Sequence, residues 1–213
     1  NNIPTILSRF QIFDFSRIKV KDITDHLAEI AKKENVKAEE EALHLIALKA
    51  DGALRDALSV FDQMITFSGN ELTYKHVVEN LHILDYDYFF KFVNHAEKED
   101  IPSSLLLFNE ILEKGFDAHH VLAGLSTHYR NLLVCKDEKS SVLLEVPEAT
   151  QKKYVEQSKL LPYHTITRAL YALSKADTSY KASKNQRLLV EVVLMELCSL
   201  KQEQEKKSPN GTH

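Results

Sequence analysis

Glycine and proline are scarce, five of each in 213 residues, which predicts long uninterrupted helices. Cysteine is scarcer still. Cys135 and Cys198 stand far apart with no clustered ligands, which suits a reduced, cytoplasmic compartment better than a disulfide framework. No apolar run approaches the ~18 residues that span a bilayer, so no membrane association is expected. No C-x-x-C, H-x-x-x-H or carboxylate–histidine cluster occurs. The adjacent His119 and His120 would point about 100° apart on a helix, so no metal site is expected. Basic residues are not in excess: 27 Lys and Arg face 31 Asp and Glu, for a net charge of −4. A domain that grips a phosphate backbone is usually basic, so bulk charge disfavours direct DNA binding. No G-x-x-x-x-G-K-[ST] loop is present to cradle phosphates. The N-terminal Asn-Asn-Ile-Pro resembles neither a signal nor a transit peptide. With no initiating Met, the sequence is expected to be cut from something longer.

What is present is helix-forming. Hydrophobic content of 44% and charged content of 27% suit a soluble globular chain, and Ala, Leu, Glu and Lys dominate. Residues 1–18 differ from the rest: Pro4 can open a short helix to about Ser8, and Phe10 to Phe15 reads as a strand. A lone strand needs a partner sheet, which is expected upstream. From Val20 the pattern turns helical, with Ile23, Leu27, Ile30 and Ala31 on one face of a helix to about Glu34. Leu43, Ile46 and Ala47 mark a second helix, with Glu39, Glu40 and Glu41 well placed in its first turn. Asp51 is the expected N-cap of a third, running to about Phe67 with Leu54, Leu58, Phe61 and Ile65 buried. Ser68-Gly69-Asn70 is the best boundary signal. Longer helical segments follow: Thr73 to Leu81, Asp85 to Glu99, Pro102 or Ser103 to Gly115, and Asp117 to Cys135. After a polar break from Lys136 to Ser141 come a short helix from Pro147, a long one from Pro162 to about Ala182, and a last from Asn185 to about Gln202. The tail beyond has no apolar residue and reads as a disordered linker. No internal repeat is found.

Two arginines carry the chemistry. In GALRDAL, Gly52 to Leu58, Arg55 falls in the first turn of a helix, where the dipole disfavours a cation by about 0.3–1 kcal/mol unless an anion shares the place. It reads either as a solvated side chain eased by Asp56, or as a bidentate phosphate contact at a helix N-terminus. Leu54 beside it can face a base or the core. Arg9 ends the first helix, and reads either as a charge that complements the dipole or as an arginine finger reaching a neighbouring subunit's nucleotide. Tyr86, Tyr88, Phe89, Phe90 and Phe92 form an aromatic cluster better suited to packing than to base stacking. Arg187 and Glu191 are spaced for a helix-surface pair, or for a contact across to a neighbouring helix.

Together, IPTILSRFQ-x-F-x-F at residues 3–15 and GALRDALS-x-x-DQ at 52–63 resemble the gamma/tau subunits of bacterial DNA polymerase III clamp loaders, which are AAA+ ATPases. Tyr129 to Val134 and Asn185 to Glu191 look like pieces of that family's all-helical collar. The resemblance spans residues 3–202. It implies an all-α chain with four parts: a remnant of the AAA+ core at 1–15, a three-helix lid at 16–69, a six-helix collar at 70–202 and a disordered linker at 203–213. It implies that Arg9, within Ser8-Arg9-Phe10, is the trans-acting arginine finger, although Phe10 stands where the family usually has Cys. Arg55 becomes the sensor-2 arginine on the phosphates of its own subunit's ATP, and Leu54 a possible base contact. The intact subunit would use ATP and magnesium to load a sliding clamp on primed DNA as part of DNA polymerase III, with the collar holding it to the other loader subunits. The phosphate loop, Walker B acid and zinc-binding cysteines of the family are missing here, so the chain alone is not expected to hydrolyse ATP. Two other readings are a standalone helical adaptor with incidental arginines and a helix-turn-helix DNA reader. The second lacks any Lys/Arg-rich recognition helix.

Overall fold

A computed structural model describes residues 17–207. The helix expected before Ser8, the strand at Phe10 to Phe15, and Arg9 lie outside the described residues. The described chain is all-α, with eleven helices and one two-stranded pairing, and divides into two compact units after Val77.

In the first unit, α1 (Val20–Lys33), α2 (Glu40–Lys49) and α3 (Leu54–Ser68) pack on one another. The predicted face of α1 is observed, with Ile23, Leu27 and Ala31 buried. Its end is set by Asn35, which adopts a left-handed φ of 55°. The Val36 N–H then reaches back to Ala31 O at 2.8 Å, closing a Schellman turn that buries Val36. The chain next forms β1 (Lys37–Ala38), which pairs in parallel with β2 (Glu71–Leu72). Two-residue strands carry no alternation to read, so the sequence offers no hint of them. The buried face of α3 is Ala57, Phe61 and Met64, while Leu54, Leu58 and Ile65 are half-buried flanks. The predicted stripe is therefore rotated, with the small Ala57 fully buried and the large aliphatics beside it half-buried.

The second unit begins within α4 (Tyr74–Asn80). It holds six longer helices, α5 (Asp87–Glu97), α6 (Ile101–Glu113), α7 (Ala118–Val134), α9 (Glu148–Leu160), α10 (Tyr163–Tyr180) and α11 (Gln186–Lys207), and the one-turn α8 (Glu138–Ser141). α8 lies inside the expected polar break, where Asp137 accepts a bond from the Lys139 N–H at 2.7 Å. One core joins the longer helices, centred on fully buried Phe108, Ile111, Leu122, Leu125 and Tyr129. Asp117 caps α7 as predicted, and Asp100 caps α6 by accepting from Ser103 N–H at 3.0 Å. His119 pairs with Asp177 at 2.7 Å, while the ring of His120 accepts from the Asp117 N–H, so the two histidines serve different contacts. The last helix runs to Lys207, so residues 203–207 are helical backbone instead of the disordered linker expected. Lys, Glu and Gln propagate a helix well once a packed segment has nucleated it.

The aromatic cluster packs inward. Phe89 and Phe92 are buried, and the ring of Phe90 meets His128 edge-on at 4.5 Å and Tyr154 at 4.8 Å. Phe89 lies against Gly124 of α7 so closely that a Cβ there would stand 1.9 Å from the ring. This glycine is required for room, not for backbone freedom. Gly124→Ala should cost about 1–3 kcal/mol of stability through overpacking, despite alanine's better helix propensity. Urea melts of the two chains would show it, and equal midpoints would refute the claim.

Candidate functional site

The start of α3 is built by a turn that the sequence reading assigned differently. α2 ends at Lys49 with Ala50 as its C-cap, and the next two residues, Asp51 and Gly52, have φ of 48° and 82°. The Ala53 N–H closes the turn onto Ala50 O at 3.0 Å, and Ala53 is the N-cap residue, with no side-chain cap bond. Asp51 is therefore not the cap. It sits two residues too early, and its carboxylate accepts from Arg17 Nη1 at 3.0 Å instead. Aspartate and glycine are the residues that tolerate consecutive left-handed conformations, and this is why the pair occurs here. A Cβ on Gly52 would also stand 2.7 Å from Arg17 Cβ.

Arg55 is the second residue of α3 and is exposed. It shares the outer face with Ser59, Asp62 and Thr66, which are exposed too. Leu54, half-buried at the helix start, keeps an open edge next to it. Arg55 thus stands in the first turn of a helix whose leading N–H groups no N-cap side chain satisfies. An uncapped helix start and a cation in its first turn both favour an anion such as a phosphate. Arg9 lies outside the described residues. Arg17 was missed by sequence reasoning. Asp51 was read only as an N-cap, and the partner of its carboxylate lies 34 positions away.

Comparison with known proteins decides the family. The model of "DNA polymerase III subunits gamma and tau domain III" matches residues 72–209. The chain belongs to the DNA polymerase III gamma/tau family. The model of the "DNA polymerase III clamp loader subunit, ATPase lid domain" matches residues 22–70 of this gamma/tau chain. The tau subunit of Bacillus subtilis is 28% identical over 199 residues, 93% of this chain and 35% of that protein. The gamma/tau subunit of Mycoplasma genitalium is 34% identical over 158 residues, 73% of this chain and 26% of that protein. The chain thus spans about a third or less of the length of these relatives. Among solved structures, the Bacillus subtilis clamp loader delta protein superposes with a TM-score of 0.54 at 22% identity, covering 86% of this chain and 57% of that one. It shares the fold. Nothing supports the adaptor or helix-turn-helix readings. No described helix is long and apolar enough to cross a membrane.

The gamma/tau segments named from sequence have clear places. Tyr129 and Leu132 are buried in the core of the second unit. Arg187 does both things open to it, donating to Glu191 at 2.9 Å and across to Asn109 on α6 at 3.0 Å.

Proposed function

We propose that this chain acts in replication, in the cytoplasm, as the lid and collar of a clamp-loader subunit that uses ATP to place a sliding clamp on primed DNA. Residues 16–69 form the lid and 70–202 the collar, with 1–15 belonging to the ATPase core. Carrying the reading is the coincidence of a lid-family match with an exposed arginine at a helix start that no side chain caps. Arg55 is the sensor: it meets the phosphates of ATP bound by its own subunit and draws the lid onto them. Leu54 offers its open edge to the base. Arg9 reaches the ATP of the adjoining subunit.

The described residues fit one side of a nucleotide site only. They supply Arg55 and the first N–H groups of α3, and among them no cluster of three or more His, Cys, Asp or Glu side chains is placed to hold a metal ion. When bound in the intact subunit, ATP with magnesium supplies the phosphoryl group whose charge these donors share. The collar reading draws support from α6 and α11, tied by the Arg187–Asn109 bond. Both present apolar side chains to solvent, Leu106 at 71% exposure and Leu188 and Val192 at 49% each. These are surfaces suited to neighbouring loader subunits.

Arg55→Ala in the full-length subunit should weaken ATP binding about ten- to a hundredfold, the worth of a charge-assisted phosphate contact, and slow clamp loading in step. Titration with a fluorescent ATP analogue reads the first and a clamp-loading assay the second. Wild-type affinity in the variant would remove the sensor role.

A further inference from the structure

Arg17, Ile18 and Lys19 directly precede α1. Three contacts seat this short segment on the one turn that opens α3. The Ile18 N–H donates to Gly52 O at 3.3 Å. The Arg17 guanidinium donates to the Asp51 carboxylate at 3.0 Å. Arg17 Cβ fills the space that a side chain at residue 52 would need, 2.7 Å from an ideal Cβ. With no side chain capping α3, the direction in which that helix starts depends on this turn and on what leans against it.

The ion pair is not there for folding. Its side chains are 75% and 73% exposed, and pairs so open to water contribute little to stability. Its effect is on position. Arg55 lies four residues past Asp51, within the first helical turn, so any rotation of the turn re-aims its guanidinium. We propose that Arg17 is a positioning residue for Arg55: by pairing with Asp51 it holds the Asp51–Gly52 turn, so that the sensor arginine meets a phosphate in one register. This rests on reading Arg55 as the nucleotide contact. Arg17 touches no nucleotide in this scheme. Small misalignments of a charged contact are costly to binding, and they are removed when the turn is pinned from outside the helix.

The test uses the full-length subunit and compares ATP affinity in Arg17→Ala, Asp51→Asn, the double variant, Arg17→Lys and Arg55→Ala. Asn at residue 51 tolerates the left-handed backbone while losing the charge. Each single change should weaken ATP binding about three- to tenfold, and the double should be no worse than either, because both remove one device. Arg17→Lys should recover most of the loss. Adding Arg17→Ala to Arg55→Ala should change nothing further, since no sensor remains to be aimed. Thermal midpoints should move by less than about 2 °C, which separates positioning from general destabilisation. Wild-type affinity in Arg17→Ala and Asp51→Asn would overturn the proposal. So would a loss in Arg17→Ala that Asp51→Asn does not share, or one that persists undiminished beside Arg55→Ala. Wild-type affinity in Arg55→Ala alone would instead overturn the sensor reading beneath it.

Discussion

Alanine at Arg9 should leave ATP binding intact in its own subunit and slow hydrolysis in the adjoining one by about a thousandfold or more, the usual worth of a trans-acting arginine. As the bond to the leaving oxygen breaks in the transition state, negative charge shifts toward that oxygen and is placed differently from that of bound ATP. A guanidinium delivered from outside therefore acts on rate more than on affinity. The contact proposed for Arg55 differs in kind, because one made in the ground state acts first on binding. Assemblies carrying Arg9→Ala in a single subunit would separate the two, by single-turnover hydrolysis resolved by site. A defect in the mutated subunit's own site, or none anywhere, would refute the assignment, which rests on Ser8-Arg9-Phe10.

Acid should destabilise both units, through one buried histidine in each. His44 of α2 is 8% exposed and His128 of α7 only 1%. Burial pushes both pKa values down to about 4, against an ordinary 6.5. In the second unit, Gln157 gives its N–H groups to Phe90 O and Asn94 Oδ1, both at 2.9 Å, so its oxygen accepts from His128 Nε2 at 2.7 Å. That assignment leaves Nδ1 as a bare lone pair, and no hydrogen-bond partner reaches it. Protonating it would bury a charge beside the rings of Phe90 and Tyr154.

The sign follows directly. Between pH 6.5 and about 4 the unfolded chain holds protons on these histidines that the folded chain does not. Stability from this source is therefore full above 6.5, falls as pH drops, and stops falling below about 4. The full loss is about 3 kcal/mol per histidine, a large share of the 5–15 kcal/mol that holds a typical domain together. Urea unfolding at pH 7.5 and 5.0 should differ by about 2 kcal/mol per unit, and His128→Gln should flatten the dependence in the second. A profile flat in pH, or one indifferent to that substitution, would count against it.

Much of this was legible before any coordinates, for a physical reason. Amphipathic periodicity is written in large residues at regular spacing, and α1, α5 and α7 announce themselves in that way. Caps with a side-chain acceptor, such as Asp117, are equally local. What could not be read depends on small residues or on partners far along the chain. Ala57 centres the buried face of α3 because it is small, and a search for large apolar residues passes over it. Asp51 has the chemistry of an N-cap, yet the left-handed pair it forms with Gly52 displaces the helix start by two residues and turns its carboxylate to Arg17. Exposure of Arg55 followed from helical phase alone. What leans on its turn did not.

Ser68-Gly69-Asn70 has the composition of a hinge, and Gly69, at φ 70° with open space around it, has the geometry of one. Yet the chain is clasped on leaving it. Lys37 N–H reaches Asn70 O at 2.8 Å, Glu39 N–H reaches Leu72 O at 3.0 Å, and the Glu39 carboxylate accepts from the Tyr74 N–H at 2.6 Å. The arm formed by α2 and α3 is thus riveted at both of its ends to the same two-rung ladder. On the proposed reading of Arg55, a pull at that residue acts on a frame closed at both ends by these bonds.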